Sequence, residues 1–262
     1  MIFEFKINKY HLLGYALSSS SKPFPSWKKL EQKIWLKYRD EAAYYFLNSK
    51  YAPLALEKIQ TELNDKNFKR VWEKHLKVLK KIYNDILKTK EFKRLYQETK
   101  NYLKFVKNQW QKNEKEALKI LEEVSGLKIP KQKITVYLSH PNSYNGRVLD
   151  KKTIVWGHKE EWKNYATVYL SHELLHIMTQ LQSWDKNYPL LHALICLTAN
   201  NELRIRLNKK GRYFKEGKCY TERLDIRKIE KKILPDWKKY LKREKGGLNG
   251  IKNILQLEQF LR

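Results

Sequence analysis

Residues 170–178 read Leu-Ser-His-Glu-Leu-Leu-His-Ile-Met, with two histidines four positions apart and Glu173 as the only formally charged residue in the run. No other feature constrains the fold as strongly. Residues four apart share one face of a helix about one turn from each other, so His172 and His176 can present both rings to one point only on a helix. A solvated helix of this chain would carry Lys, Arg or Glu at the flanks, because the sequence holds 55 basic and 28 acidic residues. The uncharged flanks therefore predict a buried helix, over 160–182.

The surroundings divide in two. Alternation of Phe3, Phe5 and Ile7 with Glu4 and Lys6 predicts a short strand near the N-terminus. A loop follows over 18–25, then a helix over 27–48. Helical hairpins are expected from Pro53 to Val124, with apolar stripes through Phe68, Trp72, Leu76, Leu79, Tyr83 and Leu87, and through Phe92, Leu95, Tyr102, Phe105 and Val106. Gly126 and Pro130 mark a stop. Strands are predicted over 133–139 and 153–156, with a turn at 142–146. Further helices are predicted over 160–182, 189–207, 223–234 and 248–261. The expected class is α+β, mostly helical, with a helical region over 1–125 and a catalytic domain with a small sheet over 126–262.

Composition narrows the setting. Cys196 and Cys219 are the only cysteines and have no zinc-ribbon spacing, which points to a reducing compartment. No stretch approaches the roughly 20 apolar residues of a membrane span, and the N-terminus lacks a signal-peptide core, so a cytoplasmic location is expected. The net charge of +27 is compatible with weak nucleic-acid association through a basic surface, but lysine far outnumbers arginine, the better residue for bidentate phosphate contacts.

The chemistry follows from the helix. His172 and His176 are predicted metal ligands, and Glu173 stands where it reaches water activated by the ion. Zinc lowers the pKa of such water to near neutrality, and an adjacent carboxylate can take its proton and pass it to a leaving group. His172-Glu173-Leu174-Leu175-His176 and its uncharged flanks resemble the HExxH signature of the zincin metallopeptidases, over about residues 133–207; Tyr169 departs from the small or β-branched residue usual there. The resemblance implies one zinc ion, a peptide or protein substrate, and a third protein ligand.

Thr179 and Gln182 occupy the places of the metzincin glycine and third histidine, and His192 lies too far along for that form. The expected third ligand is Glu202, on the next helix, on a face shared with Leu191, Ile195, Thr198, Ala199 and Ile205. The Asn201-Glu202 pair resembles the gluzincin arrangement, of the thermolysin-like and minigluzincin type, although Arg206 replaces the aspartate usual four residues on. An i,i+4 ion pair with Arg206 is the other reading of Glu202. Glu216, Glu222 and Asp185 are reserve ligands. The same resemblance gives Ile154 to Gly157 the role of a substrate-binding edge strand, and allows the segment from Leu248 to Arg262 to block the cleft. Acyl transfer also needs a donor for the developing oxyanion; Tyr220 is preferred over Tyr213, His192 and Arg206, because it follows the Glu202 helix in a loop-like stretch. His140 and His158 carry no ligand spacing and are expected on loops or the surface. The function expected is a zinc metalloendopeptidase with Glu173 as base; a nucleic-acid-associated protein and a non-catalytic degenerate zincin are the alternatives.

Overall fold

The computed structural model describes residues 2–9, 11–13, 81, 84–143, 145–180, 188–214, 224–242 and 251–262. The predicted loop at 18–25 and the predicted helices at 27–48 and from Pro53 to about residue 80 lie outside the described residues. Helix α1, Lys90–Ser125, is one continuous 36-residue helix. Thr89 caps it by accepting from the Phe92 amide at 3.2 Å. Phe92, Leu95, Tyr102, Val106, Trp110, Ala117, Leu121 and Val124 are buried at spacings of three, four and their sums, one stripe along its length. Phe105 leaves that stripe and is 45% exposed. Gly126 ends the helix at φ 69°, donating to the Glu122 carbonyl at 2.9 Å. A side chain there would also meet the backbone of Lys252 and Asn253.

The sheet is small and mixed. Strands β1 (Phe3–Lys6), β2 (Ile134–Leu138), β3 (Asn145–Asp150) and β4 (Thr153–Gly157) lie in the order β1-β2-β4-β3. The first two pairings are parallel and β3 runs antiparallel to β4. One face carries Phe3, Val136, Ile154 and Trp156, all buried in the core shared with α1. Every residue of β4 is buried, as a strand flanked on both sides requires. Ile154 to Gly157 therefore form an interior strand, not the expected edge. Among the described strands the edges are β1 and β3, and β3, next to β4, is in part a segment that the sequence presents as a turn.

Helix α2 (Tyr165–Thr179) packs on α1 and β3. Its first turn has amide groups without intrahelical partners. The Glu160 carboxylate accepts from Tyr165 at 2.7 Å and from Ala166 at 3.4 Å, and Gln109 of α1 accepts from Thr167 at 2.9 Å. Gln109 also donates to Glu160 at 2.6 Å, which locks the start of α2 to α1. The predicted helix over 189–207 is three pieces: α3 (Tyr188–Ile195), a π-helical segment (Cys196–Leu203) and α4 (Arg204–Asn208). Helix α5 (Leu224–Lys242) continues through Pro235. Pro235 lies on the exposed side, where solvent can serve the carbonyl it leaves free. Helix α6 (Ile254–Phe260) is shorter than expected and packs on α3, with Ile254 and Leu257 fully buried. The class is α+β and mostly helical. Among the described residues no helix is long and apolar enough to cross a membrane.

Candidate metal centre

Ten consecutive uncharged residues, Ala193 to Asn201 with His192 before them, feed α3 and the π-helical segment into the core against α2. This packing brings His192 to the motif. His172 Nε2 lies 3.1 Å from His176 Nε2 and 3.3 Å from His192 Nε2. The ring centroids form a near-equilateral triangle of 4.9, 5.2 and 5.0 Å. Nitrogen donors around a tetrahedral zinc-sized ion, at 2.0–2.1 Å each, stand about 3.3–3.4 Å apart. His172 Nε2 carries at most one hydrogen, in the ring plane, and cannot bridge to two other nitrogens by hydrogen bonding. A cation shared by these rings would satisfy both contacts at once.

Cys196 stands one turn beyond His192. Ligand atoms of His172, His192 and Cys196 all lie within 4.8 Å of one another, and all three residues are buried. These three could hold a metal ion. Glu173, 8% exposed, points toward the sheet edge, where a side chain at Gly146 would come 3.6 Å from its Oε1 and 2.7 Å from the Trp156 ring. Gly146 thus lets the Trp156 ring and the acid approach β3 closely. Rings line the site on both sides. Tyr169 stacks on Trp156 at 5.9 Å and lies 6.2 Å from the His172 ring, while Tyr188 packs 5.0 Å from His192.

The structure does not bring Glu202 into this group. It sits in the π-helical segment, where Arg206 Nε donates to its Oε2 at 2.9 Å and the Tyr213 hydroxyl donates to its Oε1. Arg206 continues to Glu123 of α1 at 2.7 Å, and Trp237 of α5 donates to the Tyr213 oxygen at 3.1 Å. Burial works against the Arg206 charge, but Glu123 and Glu202 outweigh it and raise its pKa. The i,i+4 ion pair is therefore formed. Asn201 faces elsewhere too, donating to the Cys196 carbonyl at 3.0 Å and accepting from the Phe214 amide at 2.7 Å. Arg206 and Tyr213 are thus both engaged with Glu202. Tyr220, Glu216, Glu222 and Asp185 lie outside the described residues.

His140 and His158 are not on the surface; they are 7% and 5% exposed. His140 Nε2 meets Glu98 of α1 at 3.2 Å. Burial holds its pKa below the usual value, against the pull of Glu98. The His158 carbonyl accepts from Tyr102 at 2.6 Å, whose own pKa burial raises. Burial also raises the Glu160 pKa, against the hydrogen bonds it receives. Both histidines fasten β4 and its neighbouring loops to α1 and stand apart from the three converging rings.

The residue that sequence reasoning passed over as a ligand is His192. A signal existed: it is the one histidine in the most apolar stretch of the chain, and a buried polar side chain needs a partner. No protein-family model, curated protein or solved structure matches this chain.

Proposed function

We propose that the chain is a zinc-dependent peptide hydrolase whose metal ligands are His172, His176 and His192. The observation that carries this reading is the approach of His172 Nε2, on the helix that carries Glu173, to both His176 Nε2 and His192 Nε2. Imidazole donors suit zinc, and three protein ligands with a vacant position form the usual catalytic arrangement. Zinc held there would supply Lewis acidity, lowering the pKa of water and polarising a peptide carbonyl.

The chain's own groups do the rest. Glu173 takes the proton of the attacking water and returns it to the leaving amine. Burial of its surroundings strengthens these electrostatic interactions. An extended substrate adds to β3 through main-chain hydrogen bonds, the role the sequence assigned to Ile154 to Gly157. Tyr169 and Tyr188 offer apolar ring surface to the side chains on either side.

The test is metal analysis with hydrolysis of an unfolded protein such as casein. Wild type should hold about one zinc ion and cleave; Glu173→Gln should keep zinc and lose cleavage. Equal activity in the two proteins would overturn the reading.

A further inference from the structure

The donor group contains one member that hydrolysis does not use. Cys196 follows His192 by one helical turn, is 4% exposed, and has its sulfur within 4.8 Å of ligand atoms of His172 and His192. We propose that Cys196 is a fourth donor that closes the metal site into a latent, four-coordinate state. The inference rests on the hydrolase reading above and concerns its regulation.

Three imidazoles leave one position of a tetrahedral ion, which a reacting water must occupy. Catalytic zinc sites keep that position open; a site with four protein donors is closed. Sulfur and nitrogen around one zinc ion stand about 3.5 Å apart, given bonds of about 2.3 and 2.0–2.1 Å. A sulfur already within 4.8 Å of the ring nitrogens can close to that separation by less than its swing between staggered positions about the Cα–Cβ bond. The backbone favours the approach. The π-helical turn starts at Cys196, and Asn201 holds the Cys196 carbonyl at 3.0 Å, so sulfur moves against a fixed main chain. Such wide turns recur at functional sites. On coordination the sulfur binds as thiolate and its proton leaves to bulk water. Water and thiolate then compete for one position, and hydrolysis reports the fraction of sites with sulfur displaced.

The full-length protein, freed of metal and loaded with Co²⁺, tests this. Wild type should show the near-ultraviolet thiolate-to-cobalt charge-transfer band; Cys196→Ser and Cys196→Ala should lose it while retaining Cys219 and the same far-ultraviolet circular dichroism. Zinc affinity, measured by chelator competition, should drop at least 10- to 100-fold in the variants, the range that even outer partners of a ligand command. Cleavage per bound zinc should rise. Cobalt bound by wild type without the band would overturn the proposal and leave the hydrolase reading standing. A band present, with no cleavage by any zinc-loaded form, would sink the hydrolase reading and make Cys196 a donor of a purely structural site. Failure of wild type to bind cobalt would overturn both.

Discussion

Two side chains competed for the third place beside His172 and His176, and their surroundings separate them. The Glu202 carboxylate is filled by Arg206 and Tyr213, so drawing it to a metal would strand a half-buried guanidinium and break the link to Glu123. The His192 ring instead faces His172 Nε2 at 3.3 Å and packs 5.0 Å from the His176 ring. His192→Ala is therefore expected to lower zinc affinity by more than about 100-fold, beyond what loss of an outer partner costs. Glu202→Ala should bind zinc as wild type does and lose roughly 1–3 kcal/mol of stability, the cost of leaving a polar partner unpaired. Chelator competition and urea unfolding on the two variants check both statements; zinc loss in Glu202→Ala with stability intact would return Glu202 to the ligand set. Glu173→Gln, isosteric and uncharged, should reduce the cleavage rate by about 10²- to 10⁴-fold, the contribution of a positioned base, with zinc content unchanged.

At the scale of elements, the motif helix is aimed by its first turn. Glu160 and Gln109 take the amides of Tyr165, Ala166 and Thr167, and Gln109 belongs to α1. Gln109→Ala should cost about 1–2 kcal/mol, as lost caps and buried hydrogen bonds do, and should weaken zinc binding with no ligand touched; unfolding curves and chelator competition read the two effects. How much of this was legible in the chain depended on the length of the pattern. The uncharged flanks of His172 and His176 identified a buried helix because burial and periodicity agree over four turns. The stripe of α1 was legible for the same reason, apart from Phe105. Strand β3 was hidden because Asn145-Gly146 reads as a turn. Gly146 is there because the Trp156 ring and Glu173 occupy the space a side chain would need, and close approach is one reason for glycine inside a strand. Gly146→Val should accordingly cost about 1–3 kcal/mol through overpacking and abolish cleavage, measurable by thermal unfolding and the casein assay. Glu202 is buried with the apolar neighbours of its predicted face, but Arg206 and Tyr213 take its carboxylate, and those partners lie beyond the reach of a helical-face pattern. The helix expected over 223–234 runs on to Lys242, because a proline on an exposed helix side cannot be told in the sequence from one beyond its end.

For the whole molecule, buried ionisable groups of opposite kind set the response to pH. His11, 3% exposed, is held down from 6.5 to about 3, by burial first and by the Arg147 charge second. Its neutral form is favoured in the folded state, so the unfolded chain binds the extra proton. Its contribution is fully present above pH 6.5 and is lost as pH falls, at about 1.4 kcal/mol per unit, until the folded value near 3 is reached. Glu230, 0% exposed and beside Arg227 at 3.1 Å, is pushed up from 4.5 to about 7 by burial, which outweighs that cation. Here the folded state keeps the proton, so stability is fully present below pH 4.5 and falls as pH rises toward 7. His140, lowered, adds to the first trend; Glu160, raised, adds to the second. Between pH 4.5 and 6.5 the slopes of His11 and Glu230 oppose each other and nearly cancel. Removing one should uncover the other. Relative to wild type, His11→Gln should lose stability as pH rises through this window, and Glu230→Gln should gain it, each by up to about 2.7 kcal/mol over the two units. Urea midpoints at pH 4.5, 5.5 and 6.5 give the slopes, and because all three proteins share the same metal centre, its own proton linkage drops out of the differences. Both variants tracking wild type across the window would mean that neither group keeps its shifted pKa in solution.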